Sequence, residues 1–192
     1  MSSMTLAPTL VRRSGLVAEA TLVLTGVLLL AVSAQVVIPL WFTPVPLTGQ
    51  TFAVLLVGGA FGALRGLLTF TLYLAVGVAG APVFSEAGSG WHGLLGPTGG
   101  YLVGMLLAVG IVGATAERGW DRKVRSSALV MLAGSAVIYA FGLTWLGLYL
   151  NTSVAETLAL GAAPFIVGDL IKVALAAVAL PTAWSMVNKL RG

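Results

Sequence analysis

The sequence predicts an all-α integral membrane protein: six transmembrane helices, with both termini cytoplasmic. Three observations carry that expectation. Hydrophobic residues fill 58% of the 192 positions and charged residues only 8%, against about 25% charged in a soluble domain. Mean hydropathy is +1.04. So few charges cannot cover the surface of a water-soluble globule, and so apolar a chain does not stay disordered. Apolar runs recur at about the 20-residue length that crosses a bilayer. Threaded as six spans, nine of the ten Lys and Arg residues fall on one side, as the positive-inside bias requires.

The chain reads as a single membrane domain, 1–192. The first span is 16–38, with Glu19 near its start. Arg12 and Arg13 precede it, and the segment reads as a retained span rather than a cleaved leader. Residues 51–80 form one apolar stretch interrupted only by Arg65. Taken as one span, it puts Arg12 and Arg13 opposite the basic loop 117–125. Taken as two short spans, 51–64 and 66–80, it puts Arg12, Arg13, Arg65, Arg118, Arg122, Lys123, Arg125, Lys189 and Arg191 on one face. Two spans of this length need tilt or shelter from neighbours. Gly58, Gly62 and Gly66 make two overlapping G-x-x-x-G steps, which predict close helix packing within the molecule. The remaining spans are 97–116, 126–150 and 161–188.

Several chemistries are excluded. There is no cysteine and one histidine, His92, so no thiolate catalysis or histidine metal site is available. Ser89 and His92 lie in one loop with no second histidine to orient a base. No G-x-x-x-x-G-K-[ST] stretch occurs, so the chain has no P-loop. The net charge is +4, but the basic residues flank apolar runs, which argues against nucleic acid. No cofactor, metal or catalytic residue is expected.

The last span holds Asp169 and Lys172, spaced i, i+3 on one helix face. Ionisable residues inside a span cost several kcal/mol and mark function by default. As a mere stabiliser the pair is poor. A carboxylate beside an ammonium offers acceptors and donors together, which suits a polar, neutral group such as a cyclic urea, amide or sugar. Two outer loops come next. Residues 39–50 carry three prolines and two aromatics, and residues 81–96 are glycine-rich with Phe84, Trp91 and His92. Such loops either lid a pocket or anchor at the headgroup level, Trp41 and Trp91 fitting both readings. G-P-T-G-G-Y at 96–101 would bring a helix N-terminus and free backbone donors to the same mouth.

Four motifs in register, P-V-P-L-T-G-Q-T at 44–51, G-A-P-V-F at 80–84, G-P-T-G-G-Y-L-V-G at 96–104 and F-I-V-G-D-L-I-K at 165–172, resemble the BioY family. Its members are biotin-binding S components of energy-coupling factor transporters. The resemblance implies the six-helix S-component bundle and biotin bound near the outer face under the first and third loops. It implies that Asp169 and Lys172 contact biotin's polar end. The ureido ring has two N–H donors for Asp169 and a carbonyl for Lys172. Trp91, Phe84 and Tyr101 would wall the apolar rings and chain, Gln50 and Thr48 would supply loop contacts, and backbone amides near Gly99 and Gly100, or Lys172 itself, would take the carboxylate. If Lys172 takes it, the ureido assignment reverses. The implied partners are biotin, membrane lipid, a membrane coupling subunit and two cytoplasmic ATPase subunits, in the cytoplasmic membrane of a prokaryote. Two departures stand out. Val167 occupies a position where many relatives have proline, and the first span offers Thr21-x-x-x-Thr25, with Ala31 and Ala34, instead of an intact A-x-x-x-A docking motif.

Two other readings make different predictions. A stand-alone proton-coupled carrier using Asp169 and Lys172 would lose uptake to an uncoupler without any ATPase, although inverted repeats are not evident. A membrane enzyme would change its ligand chemically, but one histidine and two intramembrane charges give it little to work with.

Overall fold

The chain is described by a computed structural model covering residues 5–10 and 15–191. Arg12 and Arg13, part of the predicted cytoplasmic charge, lie outside the described residues, as does the side chain of Arg191. The described elements are α1 (Leu6–Leu10), α2 (Leu16–Gln35), β1 (Val37–Ile38), β2 (Leu47–Thr48), α3 (Gln50–Phe61), α4 (Ala63–Val78), α5 (Gly90–Leu95), α6 (Gly99–Ala116), α7 (Val124–Leu150), α8 (Val154–Gly161) and α9 (Ile166–Arg191). Among the described residues four helices are long and apolar enough to cross a membrane: Leu16–Gln35, Gly99–Ala116, Val124–Leu150 and Ile166–Lys189. The two remaining predicted segments form the shorter apolar helices α3 and α4.

Helix α6 is the centre. Its faces pack on α3, α4 and α7, and Ala108, Val109 and Val112 are fully buried. Lipid is as apolar as leucine, so close packing rather than water exclusion holds such helices together. Glycine supplies the proximity. A Cβ on Gly104 would stand 2.8 Å from the Ile138 Cα of α7, and one on Gly58 would stand 2.8 Å from the Val109 oxygen. The G-x-x-x-G face of α3 and α4 therefore packs inside the molecule.

The break between α3 and α4 falls at Gly62, three residues before Arg65. Gly62 sits at φ +85°, a left-handed conformation that side chains resist. The Glu117 carboxylate accepts from the Ala63 amide at 2.9 Å, satisfying a free donor at the start of α4. Arg65 has a different task. Its guanidinium donates to both carboxylate oxygens of Glu19 in α2, a bidentate pair. Helix α2 is mostly exposed, and this is one of its ties to the bundle.

The last predicted span, 161–188, is continuously helical only from Ile166, after a turn at 162–165. Residues 154–161 form α8, entered through a Ser153–Glu156 capping box. Helix α9 then runs from Ile166 with Pro181 inside it. There the Thr182 hydroxyl donates to the Val178 carbonyl at 2.8 Å.

At the end of the bundle holding the 117–125 loop, Asp121 is buried under α9, and its Oδ2 accepts from the Trp184 indole N–H at 2.5 Å. Burial pushes its carboxyl above the usual carboxylate range, while the Trp184 bond and the Arg122 charge pull it down. A carboxyl raised in the folded state contributes stability that is fully present below its unfolded pKa. That stability is lost as pH rises through the folded value. The melting temperature should fall through that window in the wild type and be flatter in Asp121→Asn. Superimposable pH profiles would contradict this.

Candidate functional site

Two loops and five helices enclose a cavity of about 220 Å³. The first loop is an antiparallel hairpin, Val37 pairing with Thr48 and Ile38 with Leu47. It is pinned where the Thr43 hydroxyl donates to the Leu160 carbonyl at 2.8 Å. Its prolines stiffen it, and Pro44, Val45 and Pro46 line the mouth. The second loop, residues 79–98, holds a 3-10 turn at 85–87 and then α5. The Gln35 amide at the end of α2 grips it, donating to the Phe84 carbonyl at 2.9 Å and accepting from the Ala87 amide at 3.1 Å. Phe84 is buried, its ring edge-on to Tyr73 at 5.6 Å between centroids.

The floor is polar. Lys172 Nζ donates to Asp169 Oδ1 at 2.8 Å and to the Thr51 hydroxyl at 3.1 Å. Thr51 donates in turn to Asp169 Oδ1 at 3.4 Å. The Tyr139 hydroxyl donates to Asp169 Oδ2 at 2.5 Å. The side chains of Asp169 and Lys172 are only 14% and 16% exposed, so the charges are held largely away from water, where electrostatic contacts are strong. Gln50 is buried beside them, donating to Tyr73 at 3.0 Å, and Tyr73 donates to the Val83 carbonyl of the second loop. Tyr101 donates to the Gly161 carbonyl at 2.8 Å and meets Tyr139 edge-on. Leu102, Met105, Ile138 and Phe165 complete an apolar wall.

Of the residues singled out from sequence, Asp169, Lys172, Gln50, Thr48, Tyr101 and Phe84 all line this cavity. Trp91, Gly99 and Gly100 are not among its lining residues. Trp91 is 63% exposed on the outside of the loop. A Cβ on Gly99 would stand 2.1 Å from the Leu94 oxygen, and one on Gly100 would stand 2.2 Å from the Trp145 Cβ. Those two glycines are spent on packing. Gly96, Pro97 and Thr98, just before them, line the cavity instead. Sequence reasoning missed Tyr139, Thr51, Met105 and Phe165 as site residues and set His92 aside, although His92 also lines the cavity. Thr51 closes the first motif, a signal within reach. Tyr139 is an uncharged ring in an apolar helix and gave none.

A bundle with long apolar helices and a lidded, part-charged cavity defines a helical membrane protein built around a small-molecule pocket. Residues 4–189 match the sequence model of the BioY family. A probable biotin transporter BioY of Pyrococcus horikoshii is 39% identical over 160 residues, covering 83% of this chain and 92% of that one. The biotin transporter BioY of Thermotoga maritima is 38% identical over 152 residues, covering 78% and 85%. A crystal structure of the S-component for biotin from an ECF-type ABC transporter superposes with a TM-score of 0.79 at 25% identity, covering 91% of each chain. The chain belongs to the BioY family. It is a membrane transport protein and not an enzyme.

Proposed function

We propose that this chain captures biotin at the outer face of a prokaryotic cytoplasmic membrane and carries it inward as the S component of an energy-coupling factor transporter. The observation that carries this reading is the charged floor of the lidded cavity, in a chain whose relatives are named biotin transporters. Asp169 accepts from the ureido N–H groups and Lys172 donates to the ureido carbonyl. Hydrogen bonds to charged groups are worth about 1.5–3 kcal/mol each. Thr51 and Tyr139 hold both charges in place before ligand arrives, which lowers the ordering cost of binding. Phe84, Tyr101, Met105 and Phe165 cover the thiophane ring and valeryl chain. Gln50 and Thr48 sit within reach of the polar ring. The biotin carboxylate lies toward Ser85, His92 and Thr98 at the mouth, which leaves Lys172 to the ureido group. Trp91, Gly99 and Gly100 take no part in this arrangement.

In this reading α2, α3, α4, α6, α7 and α9 are the six spans, α3 and α4 being sheltered by neighbours, and both termini face the cytoplasm with the 117–125 loop. Translocation energy comes from two ATPase subunits acting through a membrane coupling subunit. The test is calorimetric titration of the detergent-purified chain with biotin, with thiamine and riboflavin as controls. One-to-one binding of biotin, with the controls silent, is the expected result. A folded, monodisperse sample that binds no biotin overturns the proposal.

A further inference from the structure

The last turns of α9 read P-T-A-W-S-M-V-N-K. Pro181, Trp184, Ser185, Asn188 and Lys189 recur at the spacing that shares one helix face. With Arg122 of the 117–125 loop they line an open groove, separate from the lidded cavity. Lys189 lies twenty residues past Asp169, about 30 Å along a helix axis.

The groove has a fixed platform. Asp121 Oδ2 accepts from the Trp184 indole N–H, and the Arg122 guanidinium lies 4.7 Å above the same ring. That stacking holds the guanidinium while leaving its N–H groups free to donate. Arg122, Ser185, Asn188 and Lys189 make no side-chain hydrogen bond among the described residues. Among the described residues no acidic side chain lines the groove. Asp121 lies buried at the N–H edge of the indole, and Glu117 is turned to the Ala63 amide. Two cations and two neutral polar groups thus converge in the groove, with Asp121 beside Arg122 as the one acid close to them among the described residues.

An apolar track leads away from this cluster. On the adjoining side of α9, Leu175, Val178 and Met186 are 57%, 51% and 61% exposed. A free anion has no use for such a track, but a lipid tail does. We propose that the groove binds the phosphoryl headgroup of an anionic phospholipid. Arg122 and Lys189 are its charged contacts, Ser185 and Asn188 its hydrogen-bonding partners, and the acyl chains run along Leu175, Val178 and Met186. Basic pockets at membrane-helix ends recognise phospholipid headgroups by this chemistry.

The test is native mass spectrometry of the full chain in detergent. The chain is titrated with phosphatidylglycerol, with phosphatidylcholine of matched tails, and with inorganic phosphate alone. One phosphatidylglycerol should bind in preference to phosphatidylcholine. Arg122→Gln with Lys189→Gln should weaken it about 10- to 30-fold, at roughly a factor of five for each basic residue lost at a membrane surface. Lys189→Gln alone leaves the Arg122–Trp184 contact intact and should weaken it several-fold, which keeps the test valid if the double variant folds poorly. Arg118→Gln with Arg125→Gln removes equal charge elsewhere on the same loop and should change little. Equal loss in the two double variants, or no preference for the anionic lipid, overturns the proposal. Phosphate binding with the lipid silent overturns the lipid assignment.

Discussion

Asp169→Asn should weaken biotin binding by about 1.5–3 kcal/mol, on the order of 10- to 150-fold in Kd. Asparagine keeps the shape but turns one acceptor oxygen into an N–H₂ group. Tyr139, Thr51 and Lys172 all donate to Asp169, so the new donor must face another donor or the ligand's own N–H. Calorimetry on a folded variant checks it, and unchanged affinity would sink the assignment of Asp169 to the ureido group. Alanine is a blunter choice. It leaves the Lys172 ammonium without its carboxylate, and stranding one partner of a buried pair costs about 3–5 kcal/mol. A melting curve beside the titration separates lost fold from lost contact.

The second large effect lies at Gly100. Gly100→Ala should destabilise the fold by about 1–3 kcal/mol or more, the range for overpacking a tight contact. The added methyl would stand 2.2 Å from the Trp145 Cβ and 2.5 Å from the Phe141 carbonyl oxygen. Helices α6 and α7 would have to separate there. Biotin affinity, measured where the variant is still folded, should hold. A variant with normal stability and weakened biotin binding would instead return Gly100 to the ligand's surroundings.

These two residues show what the sequence discloses and what it withholds. Asp169 and Lys172 were legible because charge inside an apolar helix is costly and rare, so two of them at i, i+3 point to a site without any fold. Their partners were not. Thr51 and Tyr139 reach Asp169 across separations of 118 and 30 residues, and no local pattern encodes that meeting. The glycines at 99 and 100 were read as backbone donors to a ligand, but they do not line the cavity; they face α7 and the end of α5. The long helices were legible from apolar length. The break in 50–78 was assigned to its one charge, whereas the backbone turns at Gly62, because a left-handed residue needs glycine and Arg65 had a partner in α2. The hairpin at 37–48 escaped notice because its strands are two residues long and its prolines dominate the local pattern.

Gln35 has a consequence for timing. It is the last residue of α2, the least buried of the four long apolar helices, and it holds the second loop through Phe84 and Ala87. At its other end α2 is tied to α4 through Glu19 and Arg65. The helix therefore joins the start of α4 to the second loop, packed on α3 and α4 between. A displacement of α2 would be felt at the second loop, whereas the floor of the cavity rests on α3, α6, α7 and α9. Gln35→Ala should accordingly loosen the second loop and speed the release of a ligand from the cavity, read as a faster off-rate.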